Sequence, residues 1–110
     1  MLPLQGLRCL DLSRQLPGPY CSWLLADFGM DVVTVAAPND PMGAGISLLQ
    51  RNKRSATLNL KEPRGRELFL ALADKADVVL EGFRPGVVKR LGIDYETLAA
   101  RNPRIVYCSI

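Results

Sequence analysis

Five short runs built from Leu, Val, Ile and Cys punctuate the chain, and stretches of helical spacing separate them. The runs are LRCLDLS (Leu7–Ser13), DVVTVAAP (31–38), SATLNL (55–60), DVVLEGF (77–83) and RIVYCSI (104–110). Strand-type and helix-type segments in strict alternation point to an α/β fold, because each crossover connection carries a helix back over a parallel sheet. The valines of DVVTVAAP are almost continuous, and a strand with no polar face is one buried on both sides, as in a parallel sheet. We therefore expect an α/β, Rossmann-like, mostly parallel sheet with flanking helices.

The helical segments carry their own start and stop signals. In LPGPYCSWLLADFG, Tyr20, Leu24 and Phe28 recur at i, i+4 and i+8 with Cys21 and Leu25 alongside, Pro17 and Pro19 suit the start, and Gly29 suits the stop. EPRGRELFLALADKA has Pro63 near its start and Leu68, Phe69, Leu72 and Ala76 on one expected face. RPGVVKRLG reads as a turn into a short helix. IDYETLAARNP reads as a helix with Asp94 as N-cap, Glu96 in the first turn and Asn102-Pro103 as its end. Ile93 and Leu98 have the spacing of a hydrophobic staple. Residues 38–50, PNDPMGAGISLLQ, with two prolines and two glycines, are expected to form a loop or lid. The fifth run has no helix after it, so residues 1–110 are expected to be an incomplete domain, truncated after the fifth strand and belonging to a longer protein.

At 110 residues with 48% hydrophobic and 23% charged content, the composition is that of one small globular domain. No apolar run approaches the roughly 20 residues of a membrane span, and the opening residues lack a signal-peptide pattern. Three scattered cysteines with no CxxC pair read as reduced thiols of a cytoplasmic protein. The absence of histidine removes the commonest general base and metal ligand, and no metal site is expected. The net charge of +3 is uneven: residues 1–50 hold two cations and four acids, and residues 51–110 hold twelve cations and seven acids. A basic second half suits a phosphate-bearing ligand, and it equally suits an ordinary solvated surface. A nucleic-acid role is disfavoured because no exposed aromatics interleave the basic residues and no recognition motif appears.

In open α/β sheets, ligands bind beyond the carboxyl ends of the strands. The loops Ser13–Pro19, Ala36–Gly45 and Glu81–Gly86 leave such ends and should converge if a site exists. The GAG at Gly43–Gly45 lacks the third glycine of a dinucleotide fingerprint, and no phosphate loop or nucleophile elbow is present. What remains is a set of cations: Arg51, Lys53 and Arg54 in QRNKRS, then Arg84, Lys89 and Arg90. Guanidinium groups match phosphate oxygens geometrically. Phe83 beside Arg84 is either a stacking face for a purine or a core residue.

Taken in order, the segments PLQGLRCLDLSRQLPGPYCSWLLADFGMDVVTV and RNKRSATLNLKEPRGRELFLALADKADVVLEGFRPGVVKRLGIDYETLAARNPRIVYCSI resemble the N-terminal part of the family III CoA-transferases, the CaiB/BaiF type. That family includes formyl-CoA transferase and α-methylacyl-CoA racemase. The resemblance runs the length of the chain and implies coenzyme A or an acyl-CoA as substrate, with no tightly bound cofactor. By motif position it places CoA contacts at Gln15, Leu16 and Pro17 after the first strand and at Leu58 on the third. After the fourth strand it places them at Gly82, Phe83, Arg84, Val87 and Arg90. It also gives the QRNKRS cations a role in the basic surround of the CoA phosphates. Its members form interlocked homodimers and act on acyl-CoA and carboxylate small molecules, without nucleic acid or membrane.

Two departures stand out. Where the family has an acid in strand two, often followed by an arginine that meets a CoA phosphate, this chain reads TVAAP, with neither. Position 82, often Asn in the family, is Gly82. The family's nucleophilic aspartate, which attacks the thioester and becomes an aspartyl-CoA, matches no residue of this chain, and neither do the His and Asp of the racemases. Asp11 and Glu81 read as structural, no residue takes a catalytic role, and the 110-residue chain by itself is expected to be inactive. The resemblance thus implies the CoA-binding front of a CoA-transferase. The alternatives are a racemase-type fragment, favoured by EGFRPG, and a non-catalytic chain that binds CoA weakly or pairs with a partner.

Overall fold

The computed structural model describes residues 1–39 and 47–110. Five strands, β1 (Arg8–Asp11), β2 (Asp31–Ala36), β3 (Lys53–Thr57), β4 (Val78–Glu81) and β5 (Val106–Ser109), form one sheet in the order β3-β2-β1-β4-β5. All four pairings are parallel. The chain moves outward from β1 to β3, then returns to place β4 on the other side of β1. The point where the strand order reverses, between β1 and β4, is where such a sheet opens a crevice.

Helices cover both faces. Helix α1 (Pro17–Asp27) packs on one face over Cys9, Val32 and Leu80, and Ala26 and Met30 complete that cluster. On the other face α2 (Pro63–Ala73), the short α3 (Val87–Leu91) and α4 (Tyr95–Arg101) meet Leu10, Leu12, Val35 and Val79. Phe69, Ile93 and Leu98 are the large fully buried anchors of that layer. Ile93 and Leu98 flank the start of α4 with the spacing of a staple, and the Thr97 hydroxyl donates to Asp94 at 2.7 Å. Asn102 ties α4 to α2 by donating to the carbonyls of Ala73 and Ala76.

Several expectations are corrected. The first strand is Arg8–Asp11 rather than Leu7–Ser13. The third runs from Lys53 to Thr57 rather than from Ser55 to Leu60, because its register on β2 pairs Val32 with Lys53 and Ala36 with Thr57. Leu58 therefore follows the strand, although its N–H still donates to the Ala36 carbonyl at 2.9 Å. The expected lid at 38–50 ends in a 3-10 turn at Ser47–Gln50, and residues 40–46, including the whole GAG triplet, lie outside the described residues.

The large apolar repeat of α1 lies on its outer face. Tyr20, Leu24 and Phe28 are exposed, and the buried residues are Gly18, Pro19, Ser22 and Ala26. Small residues let the helix lie close on the sheet over the polar cluster around Asp11. On α2 the inward residues are Gly65, Phe69 and Ala73, while Leu68 and Leu72 face out.

Candidate functional site

Two loops leave the sheet at the β1/β4 crevice, and a buried carboxylate shapes each. Asp11, the last residue of β1, accepts from the Ser13 N–H at 2.8 Å and from the Ser13 hydroxyl. Glu81, the last residue of β4, accepts from the Phe83 N–H at 2.8 Å. Both acids are almost fully buried. Each one binds the backbone two residues on, which turns the chain sharply off the strand end, as acidic side chains do in local turns. Past Asp11, Gln15 sits in the left-handed region at φ 67°, a conformation a non-glycine residue holds only when its surroundings impose it. The loop then enters α1 through Pro17-Gly18-Pro19. A Cβ on Gly18 would lie 2.1 Å from the Ser13 Cβ, so only glycine fits there.

These loops border an open cleft of about 670 Å3 and an adjoining pocket of about 480 Å3. The two share Leu12, Ser13, Arg14, Phe83 and Val87. The larger one is closed by Val35–Ala37 and Asn39 after β2, by the turn Leu58–Lys61 after β3, and by Arg90 and Leu91 of α3. The smaller is bounded by Gln15, Pro17, Gly18, Gly82, Arg84 and Ile110. The floor is apolar, made by Leu12, Val35, Leu58, Phe83 and Val87, and the lip carries Arg14, Lys61, Arg84 and Arg90. Such a combination suits a long ligand with an uncharged portion and an anionic portion.

The residues singled out in the sequence fall as follows. Leu58 and Arg90 line the larger cleft, Gln15, Pro17, Gly82 and Arg84 the smaller, and Phe83 and Val87 both. Leu16 lines neither and is 52% exposed. Phe83 also packs against the core, so its two sequence readings hold together. Sequence reasoning missed Ser13, Arg14, Asn59 and Lys61. For Ser13 and Arg14 the strand-end rule already marked the loop. For Lys61 the signal was Asn59, whose side-chain oxygen accepts from the Lys61 N–H at 3.1 Å and folds the turn after β3 toward the cleft.

The QRNKRS cations are not part of this lip. They open β3, at the amino ends of the strands. Arg51 donates to Asp27 at 2.6 Å and stacks 5.0 Å above the Trp23 ring. Arg54 pairs with Asp31 at 2.7 Å. Lys53 is buried against Asp11 and the Pro19 carbonyl. Arg51 and Arg54 are exposed and paired with Asp27 and Asp31, Lys53 is buried on Asp11, and none of the three lines the cleft.

Among the described residues no group of three or more His, Cys, Asp or Glu is placed to hold a metal ion, and no helix is long and apolar enough to cross a membrane. Burial pushes the Cys9 thiol, which lies under α1, far up from its ordinary range, so it does not act as a thiolate.

The sequence model described as CoA-transferase family III matches residues 4–110. The chain belongs to CoA-transferase family III. It is 42% identical over 123 residues to a succinyl-CoA:mesaconate CoA-transferase of Haloarcula marismortui, covering 97% of this chain and 31% of that protein. It is equally 42% identical over 109 residues to the human α-methylacyl-CoA racemase, covering 99% of this chain and 28% of the racemase. In structure it superposes on a CaiB/BaiF family protein from Brucella suis with a TM-score of 0.86 and 37% identity, over 98% of this chain and 33% of that one. The chain thus spans about a third of the length of the family members it matches.

Proposed function

We propose that the cleft at the β1/β4 crevice binds the CoA portion of an acyl-CoA, and that the protein carrying this sequence moves CoA between an acyl-CoA and a carboxylic acid. The observation that carries this reading is the convergence of the segments that follow β1, β2, β3 and β4 on an apolar floor rimmed by Lys61, Arg84 and Arg90. The floor suits the uncharged arm of CoA, and the cations suit its phosphates. Lys61 supplies a cation to the same cleft wall as Ala36 and Ala37, in the stretch where the family's acid and arginine are both missing.

In the family chemistry, an aspartate attacks the thioester carbonyl and releases CoA thiolate, giving a mixed anhydride. The thiolate then attacks the aspartyl carbonyl and expels the first carboxylate, leaving an aspartyl-CoA for the acceptor acid. No acid described in this chain has that role. Asp11 and Glu81, the two at the crevice, are buried and hold loops. The nucleophile belongs to the portion of the family's length beyond the third matched by this chain, and the 110 residues alone are inactive. The complete protein is cytoplasmic, forms an interlocked homodimer, and uses CoA as a substrate rather than as a bound cofactor.

Calorimetric titration with CoA, followed by an assay of CoA transfer from an acyl-CoA to a panel of carboxylates, tests the reading. Binding and transfer support it, and a protein that does not bind CoA overturns it. The equal identity to a racemase favours one further reading, α-proton exchange in a 2-methylacyl-CoA. Deuterium uptake at that carbon without any CoA transfer would select it.

A further inference from the structure

Under α1 lies a buried polar cluster whose charged pair, Asp11 and Lys53, does not line the cleft. The Asp11 and Lys53 side chains are each only 1% exposed, with the Lys53 Nζ 3.6 Å from Asp11 Oδ2. Lys53 also donates to the Pro19 carbonyl at 3.1 Å. Asp11 accepts from the N–H and hydroxyl of Ser13 through Oδ1, and from the Ser22 hydroxyl through Oδ2. These bonds end at two places: Ser13, where the chain leaves β1, and the first turns of α1. Between Ser13 and Pro19 lie Arg14, Gln15, Leu16, Pro17 and Gly18, and all of these but Leu16 line the cleft.

Stability alone does not explain the pair. Burying two opposite charges costs about as much in lost hydration as their attraction returns, and an apolar pair of similar volume is often as stable. What an apolar pair cannot do is direct hydrogen bonds to chosen backbone atoms. A short loop holding Gln15 at a positive φ has many competing conformations, and a ligand that must order it binds more weakly.

We propose that Lys53 and Asp11 are positioning residues: their buried pair clamps both ends of the β1–α1 loop, so that Gln15 and Pro17 are already set at the cleft wall when ligand arrives. The proposal rests on the reading of the cleft as the CoA site, and it deepens that reading. Lys53 acts on CoA binding through the loop, without touching the ligand.

The test compares the wild-type protein with Asp11→Leu/Lys53→Met, which removes both buried charges together with the acceptors of the Ser13 and Ser22 bonds, and with the control Arg54→Ala. Backbone amide exchange without ligand is expected to quicken at least tenfold at residues 14–16 in the double variant, with β1 and β2 amides within twofold of wild type. The CoA dissociation constant is expected to rise at least fivefold, and the control to change neither by more than twofold. Unchanged exchange at 14–16 overturns the proposal, as does faster exchange spread evenly over the chain. Looser exchange at 14–16 with unaltered CoA affinity also overturns it. If wild type itself does not bind CoA, the functional reading falls, while the exchange data still decide whether the pair clamps the loop. Should the double variant not fold, Ser22→Ala removes one link to α1 and keeps the charges paired. At least threefold faster exchange at 14–16 is then expected, and no change overturns the clamp.

Discussion

Asp11 and Glu81 sit at the ends of neighbouring strands and do the same local work, each turning its chain by binding the backbone N–H two residues on. Acids used in this way leave the ligand-facing role to the cations around them. Arg84 and Arg90 reach the two halves of the cleft from the β4 loop and α3. A charge-assisted hydrogen bond contributes about 1.5–3 kcal/mol, so Arg84→Ala and Arg90→Ala should each weaken CoA binding by about tenfold or more. Calorimetric titration of each variant checks this, and unchanged titration curves would count against the assignment of the lip. Gly65 makes a different kind of demand. A Cβ there would lie 2.0 Å from the Asn59 carbonyl oxygen, on the turn that carries Lys61. Backbone cannot swing aside as a side chain can, so Gly65→Ala should lower stability by about 1–3 kcal/mol, as overpacking does. Urea unfolding measures it, and an unchanged midpoint would show that the turn gives way freely.

At the scale of the helices, position relative to the sheet decides what an apolar residue contributes. On α2, Phe69 is fully buried while its neighbour Leu68 is 41% exposed. Phe69→Ala should therefore cost about 3–5 kcal/mol, and Leu68→Ala at most about 0.5 kcal/mol. Denaturant midpoints for the two variants check the contrast, and comparable losses would mean that Leu68 packs inward. The alternation of strands and helices was legible in the sequence because parallel strands buried on both faces must be nearly all apolar, as in Asp31–Ala36. The inner face of α1 was not legible from its large residues. Tyr20, Leu24 and Phe28 form one stripe, and Gly18, Ser22 and Ala26 form another, offset by two residues. At 3.6 residues per turn the two stripes lie on nearly opposite sides. Hydrophobicity favours the first, but the close approach of α1 to a sheet face carrying Asp11 and Lys53 selects the second. The same limit applied to the site. Loops at strand ends could be named from the sequence, whereas the register that puts Lys53 at the start of β3, away from the cleft, is a property of pairing with β2.

For the molecule as a whole, the charge pattern predicts how stability responds to pH. Four carboxyls are held below their usual range. Hydrogen bonds from Arg51, Arg101 and the Thr97 hydroxyl lower Asp27, Asp74 and Asp94 respectively. At Asp31 burial pushes upward, but hydrogen bonds from Arg54 and Arg8 outweigh it. A carboxyl whose folded value lies below the unfolded value of about 3.9 binds fewer protons when folded. Its contribution is therefore complete above that value and is lost as pH falls through it. Lys53 is also lowered, by burial opposed by Asp11. For a lysine this means the unfolded chain binds the extra proton just below its usual value of about 10.4, so stability gains with rising pH there. Between these ranges the chain has no histidine to titrate. Urea midpoints should therefore be level from about pH 5 to 8, fall below about pH 4, and receive a rising contribution from Lys53 on the alkaline side. The exposed pairs are screened by salt and the buried one is not. In 1 M salt the acid fall should become shallower while the Lys53 contribution persists. An acid limb indifferent to salt would show that the surface ion pairs do not set it.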